Sequence, residues 1–219
     1  MKEIIPTIVP ASFDDLAVGL NVVRGFARSL HIDAVDGKFA PNLTWLPQAG
    51  ERIPGLNALL IEVHLMVSEP LEVGSAFVKA GASRVIAHRE AFADMATISA
   101  AFDAWKMAGA QEVGLALKMD TAPEAVAEIA TRCDSITLMC IAQIGQQGAT
   151  FESSSVARVR DFHQRFPQLT IAVDGGVSEA NIVELAHAGA SRFCVGSALS
   201  SSSDPAAVYK RLHELVDAV

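Results

Sequence analysis

Two predicted β-strands of this chain carry side chains that can bind a metal ion. One holds His31 and Asp33, and the other holds His64 and Met66. Because alternate residues of a strand point to the same face, the members of each pair lie on one side of their strand. An imidazole and a carboxylate on an apolar strand are costly to bury unless something binds them. The spacing therefore predicts a binding site, to which Asp174, just after a later predicted strand, adds a second carboxylate.

A repeated junction predicts the scaffold that positions these side chains. A small residue, a glycine and another small residue precede an apolar run at Gly81, Gly109 and Gly189. These glycines lie at multiples of about 27 residues, a spacing that Gly25 also fits, and each is expected to end a helix in the left-handed conformation. A unit of this length holds one strand, one helix and two loops. Eight such units predict an α/β fold, a single TIM (β/α)8 barrel domain over residues 1–219.

The apolar runs predict eight strands, at residues 4–9, 30–35, 59–66, 84–88, 113–117, 135–141, 169–173 and 191–195. Unbroken apolar runs are typical of a parallel sheet that is covered by helices. Helices are expected between the strands, with a short one in the loop-rich segment 38–55. The last helix is expected to begin at Asp204 and Pro205. Its buried stripe is predicted to contain Val208, Leu212, Leu215, Val216 and Val219.

The composition argues against several classes of partner. The chain is 51% hydrophobic and carries a formal charge of -8 without a cluster of basic residues, which argues against nucleic acid and anionic membranes. No segment has the length and apolarity of a membrane span. The three cysteines, Cys133, Cys140 and Cys194, show no paired spacing and are expected to be buried thiols. These features predict a cytoplasmic protein that binds a small molecule.

Functional residues of a TIM barrel lie at the carboxyl ends of its strands. This rule brings together His31, Asp33, His64 and Asp174, a set that suits one divalent ion such as zinc, iron(II), cobalt or manganese. Met66 shares the face of His64 and is expected to contact the substrate. Glycines after strands six, seven and eight either serve tight turns or let backbone N–H groups approach a phosphate. The expected phosphate-binding residues are Gly145, Gly148, Gly175, Gly176, Gly196 and Ser197.

At these residues the chain resembles the ribulose-phosphate 3-epimerase family along nearly its whole length. The most specific stretch is HIDAVDGKFAPNLT, residues 31–44. The other matching stretches are PTI at 6–8, VHLMV at 63–67, HRE at 88–90, VDGGV at 173–177 and VGSA at 195–198. The resemblance implies a TIM barrel that assembles into a homo-oligomer, commonly a dimer or a hexamer.

The resemblance also implies a reaction, the conversion of D-ribulose 5-phosphate to D-xylulose 5-phosphate by inversion at C3. Such an inversion needs one acid–base group on each face of the carbon, and Asp33 and Asp174 would provide them. The same two aspartates, with His31 and His64, would bind a metal that stabilises a cis-enediolate. Thr7 would take the position of a substrate-binding serine.

Loop six, residues 143–149, departs from the family pattern. It reads QIGQQGA, where the family has a proline, a phenylalanine and a further glycine. Lys118 and Met119 replace an Asn-Pro pair at the end of strand five, and Lys118 could pair with an anionic group or lie in solvent at the rim. Three hypotheses therefore stay open: an epimerase of ribulose 5-phosphate, an epimerase of another ketose phosphate such as a hexulose or tetrulose phosphate, and a non-catalytic sugar-phosphate-binding paralogue.

The other histidines are not assigned to this site. His88, on predicted strand four, could line the barrel mouth, but a packing role inside the fold is expected. His163, His187 and His213 lie in helical or loop contexts and receive no role.

Overall fold

The computed structural model describes residues 2–55 and 59–219, and within these ranges the chain forms a closed barrel of eight parallel strands. Each strand pairs with the next in the chain, and the first pairs with the eighth. The strands are β1 (Glu3–Ile8), β2 (Ser29–Val35), β3 (Leu60–Met66), β4 (Arg84–His88), β5 (Glu112–Leu117), β6 (Ser135–Met139), β7 (Thr170–Asp174) and β8 (Arg192–Val195). The predicted TIM barrel is confirmed, and the predicted strand bounds differ from these by at most two residues.

Helices cover the outside of the barrel. They are α1 (Phe13–Val23), α2 (Pro70–Ala80), α3 (Met95–Ala108), α4 (Ser155–Arg165), α5 (Ile182–Ala188), α6 (Ser197–Ser200) and α7 (Pro205–Asp217). Between β5 and β6 the chain forms only two short 3-10 turns, Pro123–Val126 and Ala130–Arg132. The helix expected in segment 38–55 is not found there, and residues 56–58 lie outside the described residues. Three prolines in this segment remove backbone donors and restrict the residues before them, which disfavours a helix.

Three of the four glycines predicted to end helices do so. Gly81, Gly109 and Gly189 follow α2, α3 and α5 with φ angles of 117°, 114° and 115°. Their N–H groups bond carbonyls of the last helical turn, as the left-handed cap requires. The prediction for Gly25 is wrong, because α1 is capped by Arg24 in the right-handed conformation and Gly25 has no positive φ.

The last helix begins as predicted. The carboxylate of Asp204 accepts a hydrogen bond from the backbone N–H of Ala207, and Pro205 is the first helical residue. Four of the five predicted side chains are buried or packed against the core: Val208, Leu212, Leu215 and Val216. The fifth prediction is wrong, because α7 ends at Asp217 and the chain end carries Val219 into solvent with 41% of its surface exposed.

Two apolar clusters form the core. The larger one fills the space between the barrel and its helices and contains the bulkiest buried side chains, among them Trp105 and Phe77. The smaller one lies at the carboxyl ends of β2, β3 and β6, and we call it the apolar collar. Its buried members are Val35, Ala40, Met66, Met139, Ile141 and Ile144.

Two further expectations concern the thiols and membranes. All three cysteines are free and buried, as predicted. Within the residues that the structure describes, none of the helices is both long enough and apolar enough to cross a bilayer.

Strand register brings the polar residues of the interior to a common level. Asp33 of β2 pairs with His64 of β3, and His31 pairs with Thr7 of β1. On the far side of the barrel, Asp174 of β7 pairs with residues of β6 and β8. Because alternate strand residues face inward, these side chains converge at the carboxyl end of the barrel.

Candidate metal and substrate site

Four side chains from three strands meet inside the barrel. His31 and Asp33 extend from β2, His64 from β3 and Asp174 from β7, and one ligand atom from each lies within 4.8 Å of the others. Nδ1 of His64 lies 3.3 Å from Oδ1 of Asp33 and 3.2 Å from Oδ2 of Asp174. Nε2 of His31 lies 3.3 Å and 3.9 Å from the same two oxygens. The structure thus brings together the four residues that the sequence predicts as metal ligands.

The geometry of this donor set fits a four-coordinate divalent ion. Ligand atoms bound tetrahedrally to zinc at about 2.0–2.1 Å lie about 3.3 Å apart, and three of the four distances above are 3.2 or 3.3 Å. Nε2 of His31, Oδ1 of Asp33 and Nδ1 of His64 are buried without any hydrogen-bond partner. Because buried polar atoms are normally satisfied, these unpartnered atoms fit coordination to a cation.

In His31 and His64, the ring nitrogen that points away from the centre of the site contacts another protein side chain. Nδ1 of His31 donates to Oε1 of Glu62 at 2.7 Å. Nε2 of His64 lies 3.0 Å from Nε2 of His88, and Nδ1 of His88 lies 3.1 Å from Oε2 of Glu90. Partners of this kind fix the tautomer and the orientation of a metal-binding histidine. They leave Nε2 of His31 and Nδ1 of His64 facing the centre.

The charges of the site favour a cation at its centre. Burial opposes ionisation of Asp33, but the imidazoles of His31 and His64, each 3.3 Å from its Oδ1, hold the pKa of this carboxyl well below the usual value. Burial would lower the pKa of His31, whereas its contacts with the carboxylates of Asp33 and Glu62 raise it well above the usual value. Because burial raises the pKa of Cys194 to about 12, its thiol is uncharged at neutral pH. The carboxylates of Asp33 and Glu62 therefore favour a positive charge on the imidazole of His31. A metal ion at the centre would be attracted by Asp33 in the same way as that proton.

His88 has a polar role that differs from the packing role expected from the sequence. Burial lowers its pKa to about 4, so His88 is neutral and can accept a hydrogen bond from His64. Burial would raise the pKa of Glu90, but hydrogen bonds from His88, Thr121 and the Lys118 backbone lower it to about 2. The available sequence signal was the spacing of His88 and Glu90 at the end of an apolar strand.

A small cavity lies next to two of the four candidate ligands. Its volume is about 30 Å³, which is enough for roughly one water molecule. Asp33 and Asp174 form part of its wall. All eight residues predicted to contact substrate or phosphate also line it: Thr7, Met66, Gly145, Gly148, Gly175, Gly176, Gly196 and Ser197.

Two of these positions require glycine. Gly175 and Gly176 have φ angles of 102° and 66°, which side chains rarely tolerate. A Cβ on Gly175 would lie 2.7 Å from Ile141, and one on Gly176 would lie 3.0 Å from the backbone of Phe151. A separate feature of the wall is the Thr7 hydroxyl, which is buried without a partner and can bond a ligand oxygen.

Loop six contributes a side chain that sequence reasoning did not select. The amide nitrogen of Gln147 donates to the carbonyl of Thr7 at 3.0 Å, and its amide oxygen accepts from the Ser200 hydroxyl at 3.1 Å. The same side chain lies against Gly196, where an added Cβ would be 2.9 Å from the amide nitrogen. Gln147 therefore joins loop six to β1 and to the segment after β8.

Lys118, for which the sequence left two positions open, lies over an aromatic ring. Its ammonium group is 4.2 Å from the ring centroid of Phe39, which packs on the apolar collar. Its backbone N–H donates to Glu90. His163, His187 and His213 lie on α4, α5 and α7, outside the barrel.

The fold and the site together define a class, a TIM-barrel enzyme with a buried candidate site for a divalent ion. The model of the ribulose-phosphate 3 epimerase family matches residues 3–200 of this chain. The ribulose-phosphate 3-epimerase of Chlamydia muridarum is 34% identical over 194 residues, which are 85% of this chain and 83% of that protein. The ribulose-phosphate 3-epimerase of Aquifex aeolicus is 30% identical over 221 residues, which are 99% and 97% of the two chains.

A solved structure shows the same fold. The crystal structure of KGPDC from Streptococcus mutans matches 100% of this chain over 99% of its own length, with a TM-score of 0.76 and 13% identity.

The family model and the two relatives show that the chain belongs to the ribulose-phosphate 3-epimerase family, and it is an isomerase of the carbohydrate epimerase class. The family resemblance seen in the sequence motifs is confirmed.

Proposed function

We propose that this protein is a metal-dependent 3-epimerase of a ketose phosphate, with D-ribulose 5-phosphate converted to D-xylulose 5-phosphate as its reaction. The observation that carries this proposal is the pair of carboxylates, Asp33 and Asp174. They come from β2 and β7, which are separated in the barrel by β1 and β8, and both contact the same imidazole. Inversion of a carbon needs an acid–base group on each face, and two aspartates that reach one centre from different sides suit that task.

The proposed proton transfers follow from this arrangement. In one direction Asp33, which is ionised at neutral pH, takes the C3 proton next to the C2 carbonyl, and Asp174 supplies a proton to the other face. In the reverse direction the two residues exchange roles. A positioned acid or base of this kind contributes about 10²–10⁴ in rate.

The four candidate ligands would hold one divalent ion, and zinc, iron(II), cobalt and manganese all accept a mixed set of imidazole and carboxylate donors. When bound, the ion supplies Lewis-acid stabilisation of the negative charge that develops on the substrate oxygens. Glu62 and His88 hold the imidazoles from behind. The apolar collar restricts water at the carboxyl ends of the strands, which strengthens the electrostatic interactions inside the site.

We assign the phosphate of the substrate to the glycine-rich loops after β6, β7 and β8. Gly175 and Gly176 carry no side chain that would cover their backbone N–H groups, and Gly196 and Ser197 line the same cavity. Backbone N–H groups in such loops bind anions well. The unpartnered hydroxyl of Thr7 suits a sugar oxygen.

Substrate entry requires the cavity to enlarge. The space that the cavity leaves for water-sized molecules is small, about 30 Å³, and residues 145–149 of loop six form part of its wall. We propose that loop six opens when Gln147 leaves the Thr7 carbonyl and the Ser200 hydroxyl. Two neutral hydrogen bonds of this kind cost about 1–3 kcal/mol to break, which permits rapid opening.

A different ketose phosphate, such as a hexulose or tetrulose phosphate, is the second candidate substrate. The observation that favours it is the pair of glutamine side chains, Gln146 and Gln147, which line the cavity. Amide groups at a substrate-facing position can select a different pattern of hydroxyl groups. A non-catalytic sugar-phosphate-binding paralogue is less well supported, because four buried ionisable groups are costly to retain without a bound ion.

The deciding experiment is a panel of ketose phosphates in deuterated water, with deuterium at C3 followed by NMR and with the metal content of the protein measured. The proposal expects one divalent ion per chain and epimerisation of ribulose 5-phosphate with deuterium incorporation. If ribulose 5-phosphate is inert while another ketose phosphate exchanges, the substrate assignment is wrong. A protein without metal affinity or exchange would favour the non-catalytic alternative.

We further propose that the protein forms a homo-oligomer, a dimer or a hexamer. Helix α1 exposes Phe13, Val18 and Val22, with 37%, 64% and 52% of their surfaces accessible. Association would cover these apolar side chains. Light scattering after gel filtration should give a mass at a multiple of the chain mass, and a monomer at all concentrations would refute this proposal.

A further inference from the structure

Five charged side chains fill the barrel beneath the candidate metal site. Arg84 contacts Glu3 at 3.0 Å and Glu112 at 3.1 Å. Arg192 contacts the same two carboxylates at 3.3 Å and 2.7 Å. These four residues form a closed ring with two positive and two negative charges. Glu62 is a fifth charge, 3.8 Å and 4.0 Å from the two guanidinium groups.

The ring is neutral without Glu62, so charge balance does not account for this residue. Glu62 is fully buried, yet its contacts with Arg84 and Arg192 are longer than hydrogen bonds and its Oε2 is unpartnered. Arginine and carboxylate groups that serve only to pair with each other usually do so at hydrogen-bond distance. The shortest contact of Glu62 is instead the 2.7 Å hydrogen bond to Nδ1 of His31. The carboxylate is therefore aimed at the metal site.

We propose that Glu62 is a positioning residue that holds His31 as the tautomer protonated at Nδ1, so that the lone pair of Nε2 faces the metal centre. This inference rests on the proposed metal site. A neutral imidazole has one proton, and only a strong acceptor at Nδ1 keeps that proton away from Nε2. Glu62 is the acceptor, and it makes the hydrogen bond without touching the metal centre itself.

The neighbours of Glu62 support the same role. Arg84 and Arg192 stabilise its negative charge from below, and the Sγ–H group of Cys194 approaches Oε1 at 3.9 Å. An ionised carboxylate is a stronger acceptor than a neutral amide. The ring of charges at the amino ends of the strands thereby acts on metal affinity through one side chain.

The test compares Glu62→Gln with Glu112→Gln in the full-length protein after removal of metal. Both substitutions remove one negative charge from the same cluster around Arg84 and Arg192, but Glu112 is partly exposed and makes no contact with His31. Zinc dissociation constants are measured by competition with a chromophoric chelator. The visible absorption of the cobalt(II) protein reports the geometry of the ligands. Thermal unfolding of the metal-free proteins reports the stability of each variant.

Glu62→Gln should raise the zinc dissociation constant about 10–100-fold and alter the cobalt(II) spectrum, while Glu112→Gln should change that constant by less than about threefold. If the two variants lose equal affinity, or if Glu62→Gln binds zinc like the wild type, the inference is overturned while the metal site stands. If the wild-type protein binds neither zinc nor cobalt, the proposed function itself fails and the inference fails with it.

A second measurement does not depend on the folding of a variant. In the zinc-loaded wild-type protein labelled with ¹⁵N-histidine, long-range proton–nitrogen correlation identifies the protonated nitrogen of each imidazole. His31 should be protonated at Nδ1. Protonation at Nε2 would overturn the proposal.

Discussion

Replacement of Asp174 by asparagine should separate proton exchange from inversion. The asparagine side chain has nearly the same shape, but an amide can neither take nor return a proton at C3. Asp33 remains ionised in this variant, since the contacts that lower its pKa are those with the imidazoles of His31 and His64. Asp33 should therefore still remove a proton from its own face of C3 and return a deuteron to that face.

The magnitude follows from the loss of one acid–base group. Epimerisation should fall by about 10²–10⁴, while one of the two epimers continues to exchange its C3 hydrogen with solvent and keeps its configuration. Asp33→Asn should show the complementary behaviour, with exchange confined to the other epimer. Since both aspartates are also candidate ligands, rates must be expressed per bound metal ion.

The assay is NMR of each pure epimer with the metal-loaded variants in deuterated water. Asp161→Asn, which changes an exposed aspartate on α4, is the matched control and should leave exchange and epimerisation unchanged. If Asp174→Asn inverts C3 at nearly the wild-type rate, or if the two variants exchange the same epimer, the reasoning from two opposed carboxylates is refuted.

Three other changes test the site and the scaffold. His64→Ala removes one of four candidate ligands and should reduce the metal content of the purified protein to a small fraction of the wild type, as measured by mass spectrometry; unchanged content would contradict the ligand assignment. The Asp36 carboxylate accepts hydrogen bonds from Ser68 and from backbone N–H groups, which lower its pKa to about 2 although burial opposes this. Because this folded pKa lies below the usual aspartate value of 3.8, Asp36→Asn should lower the free energy of unfolding by about 1–2 kcal/mol above about pH 4, after allowance for solvent screening. This loss of stability should shrink as the pH falls towards 2. Urea unfolding of the wild type and the variant at a series of pH values measures it, and a difference in unfolding free energy that does not change with pH would contradict the prediction. In Gly74→Ala the new Cβ would lie 2.4 Å from Nε1 of the buried Trp105, so overpacking of about 1–3 kcal/mol should outweigh the helix-propensity gain of about 1 kcal/mol. Thermal unfolding monitored by tryptophan fluorescence would contradict this if the variant were more stable than the wild type.

Much of the scaffold could be predicted from the sequence because its signals are local. Strand positions follow from apolar runs, and helix ends follow from glycines that can adopt a positive φ, as at Gly81 and Gly109. Where a local signal competes with the path of the chain, prediction fails. Gly25 fits the repeat but is not the cap, and Val219 continues a helical stripe beyond the end of its helix.

The candidate ligands were also accessible to sequence reasoning, because their residue types and strand-end positions are written in short motifs. Their partners were not. Glu62 lies on a largely apolar strand, and it bonds His31 from the neighbouring strand. His88 bonds His64, and Gln147 bonds Thr7 across the barrel mouth. Each of these contacts joins two separate segments of the chain, so the spacing within one segment does not predict the partner.

The parallel barrel, the family resemblance and the four side chains that meet at the carboxyl end of the barrel can be predicted from the residues alone. The three-dimensional structure was needed to show which imidazole nitrogen faces the centre, which carboxylate bonds the other nitrogen and how loop six covers the cavity. This difference arises because side-chain identity and periodicity are properties of short segments. Hydrogen bonds such as those of Glu62 and Gln147 instead depend on the register of strands and on the direction of side chains that folding alone brings together.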